Sequence, residues 1–187
     1  PQLDLKAVIN KGLECTGSPD ATITLTTTGG NVLPTPNYTY TVSYNSGVAV
    51  AATSPYAATA AGDYVFTVTD ANNSTTCTTS ATVTIDAIPA PTITPSVTDV
   101  SCFNGTDGAI SVAVSGGVGP FTYALTSTPA ITNTTGDATG VYTGLAAGTN
   151  YVVTVTDAKS CTYPTTITVG QPTAALAGSP TVTTPLS

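Results

Sequence analysis

The residues with the most chemistry to offer are four cysteines: Cys15, Cys77, Cys102 and Cys161. Zinc-type metal sites gather Cys and His at short spacings. Here histidine is absent, no Cys-x-x-Cys occurs, and the members of each pair stand 62 residues (15 to 77) and 59 residues (102 to 161) apart. Gaps of that length suit disulfides, which imply an oxidising compartment. Four cysteines permit three connectivities. An internal repeat, set out below, makes Cys15 equivalent to Cys102, and it favours one bond per repeat: Cys15 with Cys77 and Cys102 with Cys161. Four buried thiols are the alternative. In the chain-entropy model, closing a loop of about 60 residues contributes about 4 kcal/mol. A chain with no Trp and three Phe needs such a contribution, because domains under 100 residues bury little core.

Other reactive constellations are thin. The usual general base is missing with histidine. Glu14 is the sole glutamate, and hydrolysis by two carboxylates needs paired acids in a cleft. The aspartates are spread over turn-like positions, where Asp bonds its own backbone. The expectation is a chain that is not an enzyme and uses no cofactor. Calcium takes six to eight oxygens, and Asn104, Asp107 and Asp157 in one half, with Asp20 and Asp70 in the other, are the residues that could supply them. No Asp-x-Asp-x-Asp run is present, so solvated turn acids are the preferred account and no metal site is assigned. An isopeptide staple would need a lysine recurring beside Asn or Asp, and Lys6, Lys11 and Lys159 recur at no common position.

The elements that hold these residues are strands. Of 187 residues, 41% are apolar and only 7% charged, with a net charge of −7. Phosphate binding needs a basic footprint, so nucleic acid is excluded as a partner, and an anionic membrane surface is disfavoured on the same ground. No run approaches the roughly 18 apolar residues of a membrane span, and the opening Pro1-Gln2-Leu3-Asp4 is not a signal peptide. Thr, Val, Ile and Tyr suit a pleated, half-buried surface. No window sustains a helical stripe.

The chain nearly repeats itself at an offset of 87: Cys15 and Cys102, Asp20 and Asp107, Ile23 and Ile110, Gly29-Gly30 and Gly116-Gly117, Tyr64 and Tyr151, Asp70 and Asp157. That period is too long for a solenoid and matches one small β-sandwich. In the second copy, strands are expected at 109–115, 121–126, 141–145, 151–156 and 165–169, with a turn at 157–160 and a loop or weak edge strand at 127–139. In the first, they are expected near 22–28, 38–44, 48–52, 64–69 and 79–85. The stretch 31–36 reads as an insertion, and the turn from Asp70 to Cys77 as longer than its counterpart. The Pro-rich segment 88–95 reads as an extended connection. The predicted fold class is all-β, two tandem immunoglobulin-like β-sandwich domains at 1–88 and 89–172, with 173–187 opening a further unit. Tyr64 and Tyr151, each opening a next-to-last strand after a tight turn, fit the tyrosine corner of such sandwiches; ordinary core aromatics are the alternative.

The string Cys102-Phe103-Asn104-Gly105, Asp107-Gly108-Ala109-Ile110-Ser111-Val112, Gly116-Gly117, Gly119-Pro120-Phe121-Thr122-Tyr123, Gly144-Leu145-Ala146-Ala147-Gly148, Tyr151 to Ala158 and Cys161 resembles the SprB-type repeat of surface adhesins in gliding bacteria. The likeness spans about 92–172. The first copy keeps Cys15, Asp20, Gly29-Gly30, Tyr64 and Thr69-Asp70-Ala71, and lacks the Gly after Asp20 and the Gly-Leu of the later turn. The resemblance implies an immunoglobulin-like sandwich, type IX secretion, display on the bacterial outer surface, and a role in adhesion and gliding motility. It carries no catalytic residues.

Two roles follow. The favoured one is mechanical: stapled sandwiches forming a stalk, whose partners are neighbouring repeats of the same chain, with the gliding machinery engaged through other parts of it. The alternative is a carbohydrate-binding module. Loops at 116–120 or 127–139 would then meet extracellular polysaccharide or substratum, with Tyr38, Tyr40, Tyr44 and Tyr123 stacking on sugars. The disulfide assignment carries a tension. Cys102 precedes one strand and Cys161 another at what should be opposite poles, whereas a disulfide needs Cα atoms within about 7 Å.

Overall fold

A computed structural model of the chain describes residues 2–30, 37–70, 77–148 and 150–173. The expected insertion at 31–36, most of the long turn after Asp70, and nearly all of the expected further unit lie outside the described residues. The chain divides into two compact units, residues 1–89 with 159–161, and residues 90–158 with 162–187.

The first unit holds β1 (Asp4–Lys11), β2 (Ala21–Thr28), β3 (Tyr38–Tyr44), β4 (Val50–Ala52), β5 (Tyr56–Ala58), β6 (Gly62–Asp70) and β7 (Cys77–Ile85). They form two antiparallel sheets, ordered β1-β2-β5 and β4-β3-β6-β7. Strand alternation turns every second side chain inward. Leu5, Ile23 and Leu25 come from one sheet, Val42, Tyr64, Phe66, Val68 and Ile85 from the other, and all are buried in one cluster. Two sheets closing over one such layer make a β-sandwich.

The second unit repeats the plan with β8 (Pro91–Thr98), β9 (Gly108–Gly116), β10 (Thr122–Thr128), β11 (Val141–Leu145), β12 (Asn150–Thr156) and β13 (Thr162–Thr168). Its sheets run β11-β9-β8 and β10-β12-β13. Ile110 and Val112 of β9 meet Tyr151, Val153 and Val155 of β12 in a second core. The protein is all-β, built from immunoglobulin-like sandwich repeats. The offset survives in the elements: β1 and β8 begin at 4 and 91, β2 and β9 at 21 and 108.

Three differences from the sequence reading have physical causes. The Pro-rich connection at 88–95 is largely the strand β8, which carries Pro91 and Pro95. Proline lacks the N–H for a ladder bond, and an edge position tolerates that loss; β8 lies at the edge of its sheet. Pro164 hid the start of β13, another edge strand, which begins at Thr162 rather than Thr165. The strands β1 and β5 were not anticipated, and β5 has only three residues, Tyr56–Ala58, too few to show an alternation.

Equivalent glycines differ in what surrounds them. Gly29 has φ +79°, and a Cβ there would lie 1.8 Å from the carbonyl oxygen of Gln2; Gly116 has φ +70° and open space. A left-handed backbone costs an L-residue roughly 1–2 kcal/mol. Gly116→Ala is therefore expected to lose about 1–2 kcal/mol. Gly29→Ala also pushes the chain off β2 beside buried Leu3 and is expected to lose about 2–3 kcal/mol. Denaturant midpoints of the two variants check this; equal losses would contradict it.

Candidate functional site

The chain connecting β1 to β2 turns back tightly, with Glu14 N donating to Pro19 O at 3.0 Å. This holds Cys15 just ahead of β2. Its sulfur is bonded to Cys161, with Cα atoms 4.8 Å apart and a sequence separation of 146. Cys161 closes the turn between β12 and β13. Around the bond, Cys15 N donates to Lys159 O at 2.8 Å. Glu14 bridges two of the three cations, with Lys11 Nζ at 3.4 Å and Lys159 Nζ at 3.7 Å. Lys11 Nζ also donates to the Ser18 carbonyl. These carboxylate pairs are part-exposed, so they contribute little energy and serve mainly to orient the loop.

The expected pairs Cys15–Cys77 and Cys102–Cys161 are therefore overturned, and Cys77 and Cys102 are exposed thiols. The reason is strand length. Cys15 lies before the start of β2, whereas Cys77 pairs with Asp70, and Asp70 lies against Gly30 just past the end of β2. Cys102 lies beside the far end of β13, where Val100 N donates to Gly170 O and Asn104 N to Gln171 Oε1; Cys161 precedes that strand. A strand of seven or eight residues spans roughly 25 Å, far beyond the reach of a disulfide. The tension over opposite poles was the correct signal. The sequence carries a further signal: Glu14 adjoins Cys15 and Lys159 stands two residues before Cys161, so opposite charges flank the two cysteines that meet.

The acids do not converge either. Asp107 accepts from Ser101 Oγ at 2.5 Å and Ser101 N at 3.1 Å. The hydroxyl first, then the backbone N–H, hold its carboxyl below the usual range. Asn104 shares that loop, but Asp157 lies at the opposite end of β13. Among the described residues no three His, Cys, Asp or Glu side chains are grouped to hold a metal ion. Asp70 and Asp157 are not solvated turn acids: they are 2% and 5% exposed. Asp157 accepts from Tyr163 Oη at 3.4 Å. The Asp70 carboxylate fills the space where a side chain at Gly30 would start, 2.5 Å from that position.

Tyr64 Oη donates to Ala60 O at 2.8 Å and Tyr151 Oη to Ala146 O at 2.9 Å. Each hydroxyl thus ties the start of β6 or β12 to the turn before it, and each ring is buried. Of the tyrosines considered for sugar stacking, Tyr38, Tyr40 and Tyr123 pack against the cores. Tyr38 Oη donates to Gly29 O and Tyr40 Oη shares a hydrogen bond with Thr27 Oγ1. Tyr44 is 40% exposed.

Tyr142 is fully buried and donates to Asp137 Oδ1 at 3.1 Å. Burial first, then the bond to Asp137 and its charge, raise its hydroxyl pKa well above 10. Burial likewise raises Tyr64 and Tyr163. A raised folded-state pKa confers stability that is fully present below the unfolded value near 10 and is lost as pH climbs past it. Stability is thus expected to hold flat to about pH 9 and to fall above pH 10, with a shallower fall in Tyr142→Phe. Alkaline unfolding followed by circular dichroism checks this; an identical slope in the variant would contradict it.

The SprB repeat model matches the chain at residues 13–47 and 94–129. No curated protein matches it in sequence. Among solved structures it is similar to domains 4 and 5 of the S-layer protein SbsC. That likeness stands at 16% identity and a TM-score of 0.40, covering 91% of this chain and 100% of that one. The early cysteines, the loops that carry them, and the strands that follow fall inside the two matched segments: the chain carries SprB-repeat sequence twice.

Proposed function

We propose that this chain is a non-catalytic stalk segment of a long secreted adhesin, displayed on the bacterial outer surface and serving attachment and gliding motility. The observation that carries the reading is the double match to the SprB repeat, on two sandwich repeats built to one plan. A stalk repeat needs an ordered, self-contained core and few groups that attract stray ligands. Both cores are apolar, and charge is sparse. Export by the type IX system supplies the oxidising exterior in which the disulfide persists.

Antibodies raised against the folded chain should label intact cells of the source organism, and protease treatment of those cells should remove the label. Deleting the segment from the full-length protein should weaken attachment in flow. Label only after permeabilisation would overturn the surface assignment.

The carbohydrate-binding alternative gives a distinct result. The chain is expected to bind nothing on a glycan array, because three of the four candidate rings face the cores. Dose-dependent binding abolished by Tyr123→Ala would favour recognition over spacing.

A further inference from the structure

An asparagine side chain cyclises where the next residue leaves its backbone nitrogen open to attack, and glycine, with no Cβ, leaves it most open. Of the asparagines in the chain only Asn104 precedes a glycine. Of the aspartates, which cyclise by the same route, only Asp107 does. Both pairs, Asn104-Gly105 and Asp107-Gly108, lie between β8 and β9. The first repeat has Gly17-Ser18 and Asp20-Ala21 at the equivalent positions, so this chemistry is confined to the second.

The fold pins the atoms that would react. Asn104 is exposed and holds a left-handed φ of 60°, which Asn tolerates better than most residues. The nucleophile is Gly105 N, and its hydrogen is accepted by Cys102 O at 2.9 Å. On the other side, Asn104 N donates to Gln171 Oε1 at 3.0 Å, 67 positions away in sequence. Two more bonds close the same clasp: Val100 N donates to Gly170 O at 3.1 Å, and Gly170 N to Asp99 Oδ1 at 2.7 Å. We propose that Asn104 is a modification site gated by this clasp: it deamidates through a cyclic imide when the loop leaves the end of β13, and it stays asparagine while the clasp is shut.

The steps balance without an oxidant or a cofactor. Gly105 N gives its proton to water or hydroxide and attacks Asn104 Cγ. The new N–Cγ bond forms, the Cγ–Nδ2 bond breaks, and ammonia leaves. Water then opens the imide at either carbonyl, giving aspartate or isoaspartate at position 104. The proton lost in the first step is the one that Cys102 O holds. A bonded amide of a folded protein is released only by local opening, so the same opening frees the nucleophile. Asp107 is the slower of the two pairs. Ser101 N and Oγ bind its carboxylate, and an ionised carboxylate has no good leaving group.

The product opposes reclosure. It places a carboxylate where a neutral amide stood, in a segment that already carries Asp99 and Asp107. In the isoaspartate form it also adds a methylene to the main chain, which shifts Asn104 N away from Gln171. A molecule whose clasp has opened is therefore marked, and the mark persists after the rest of the unit refolds.

The full chain is incubated at mildly alkaline pH, folded in buffer and unfolded in urea. Deamidation at position 104 is followed by peptide mass spectrometry, with isoaspartate methyltransferase labelling to identify the β-linked product. The unfolded chain is expected to convert at least about tenfold faster than the folded one. Gln171→Ala removes one exposed clasp bond and is expected to speed the folded chain about two- to tenfold, the worth of one hydrogen bond, while leaving the unfolded rate unchanged. Asn104→Gln should abolish the label at this position in both states. Equal rates in folded and unfolded chain, a folded Gln171→Ala that converts no faster than wild type, or no conversion in either state would each overturn the proposal. The proposal does not depend on the stalk reading, and its failure leaves the surface-labelling test untouched.

Discussion

Pulled from its two ends, the oxidised chain is expected to stop lengthening about 500 Å short of the reduced chain. The Cys15–Cys161 bond spans 146 residues, and an extended chain reaches at most about 3.3–3.6 Å per residue. Every residue from 16 to 160 lies inside the covalent loop, so end-to-end tension bypasses β2 through β12. Only the flanks can be drawn out, and those include β1 and β13. Single-molecule force spectroscopy with and without reductant measures the difference directly. Oxidised Cys15→Ser should behave as the reduced chain does; equal extension of oxidised and reduced wild type would show that the bond does not form. In the chain-entropy model, a loop of this length contributes about 5 kcal/mol to stability, more than the shorter intra-repeat loops would.

Phe66→Ala is expected to cost the first unit about 3–5 kcal/mol, the usual loss for a fully buried aromatic. Phe66 is 0% exposed in the middle of β6. Its ring meets Tyr56 edge-on at 5.3 Å and stacks with Tyr64 at 6.5 Å, so the cavity also unpacks its neighbours. Small domains hold only about 5–15 kcal/mol in total, and the variant should leave the first unit near its unfolding midpoint. The equivalent position 87 residues on is Val153, also 0% exposed. Its truncation to Ala removes far fewer atoms and should cost less than half as much. Hydrogen exchange resolved by segment checks both; equal losses at the two positions would contradict the expected dependence on the buried volume removed.

The sequence revealed what local alternation can reveal. Ile110 and Val112, and Tyr151, Val153 and Val155, are buried on the faces their period-two spacing assigned. The repeat offset was visible because strands, turns and glycines kept their places. Edge strands were harder. Pro91, Pro95 and Pro164 read as breaks, although a strand paired on one side only loses little by lacking an N–H there. The disulfide was misassigned for a different reason. Repeat logic treats each module as closed, but sulfur–sulfur bonding depends on which loop ends meet in space. Strand length sets that: β2 keeps Cys15 from Cys77, and β13 keeps Cys102 from Cys161. The buried state of Asp70 and Asp157 was also hidden, since a carboxylate in a turn looks the same in sequence whether water or Tyr163 receives it.

The prolines on β8 and β13 have a consequence for crowding. Exposed sheet margins invite strangers to add a strand, and wherever one chain is concentrated its own copies are the most numerous strangers. Pro91 and Pro95 guard one margin of the second unit and Pro164 guards another. Each removes a donor that an incoming strand would need. Such a chain can be held at high concentration without its members fusing into amyloid-like sheets.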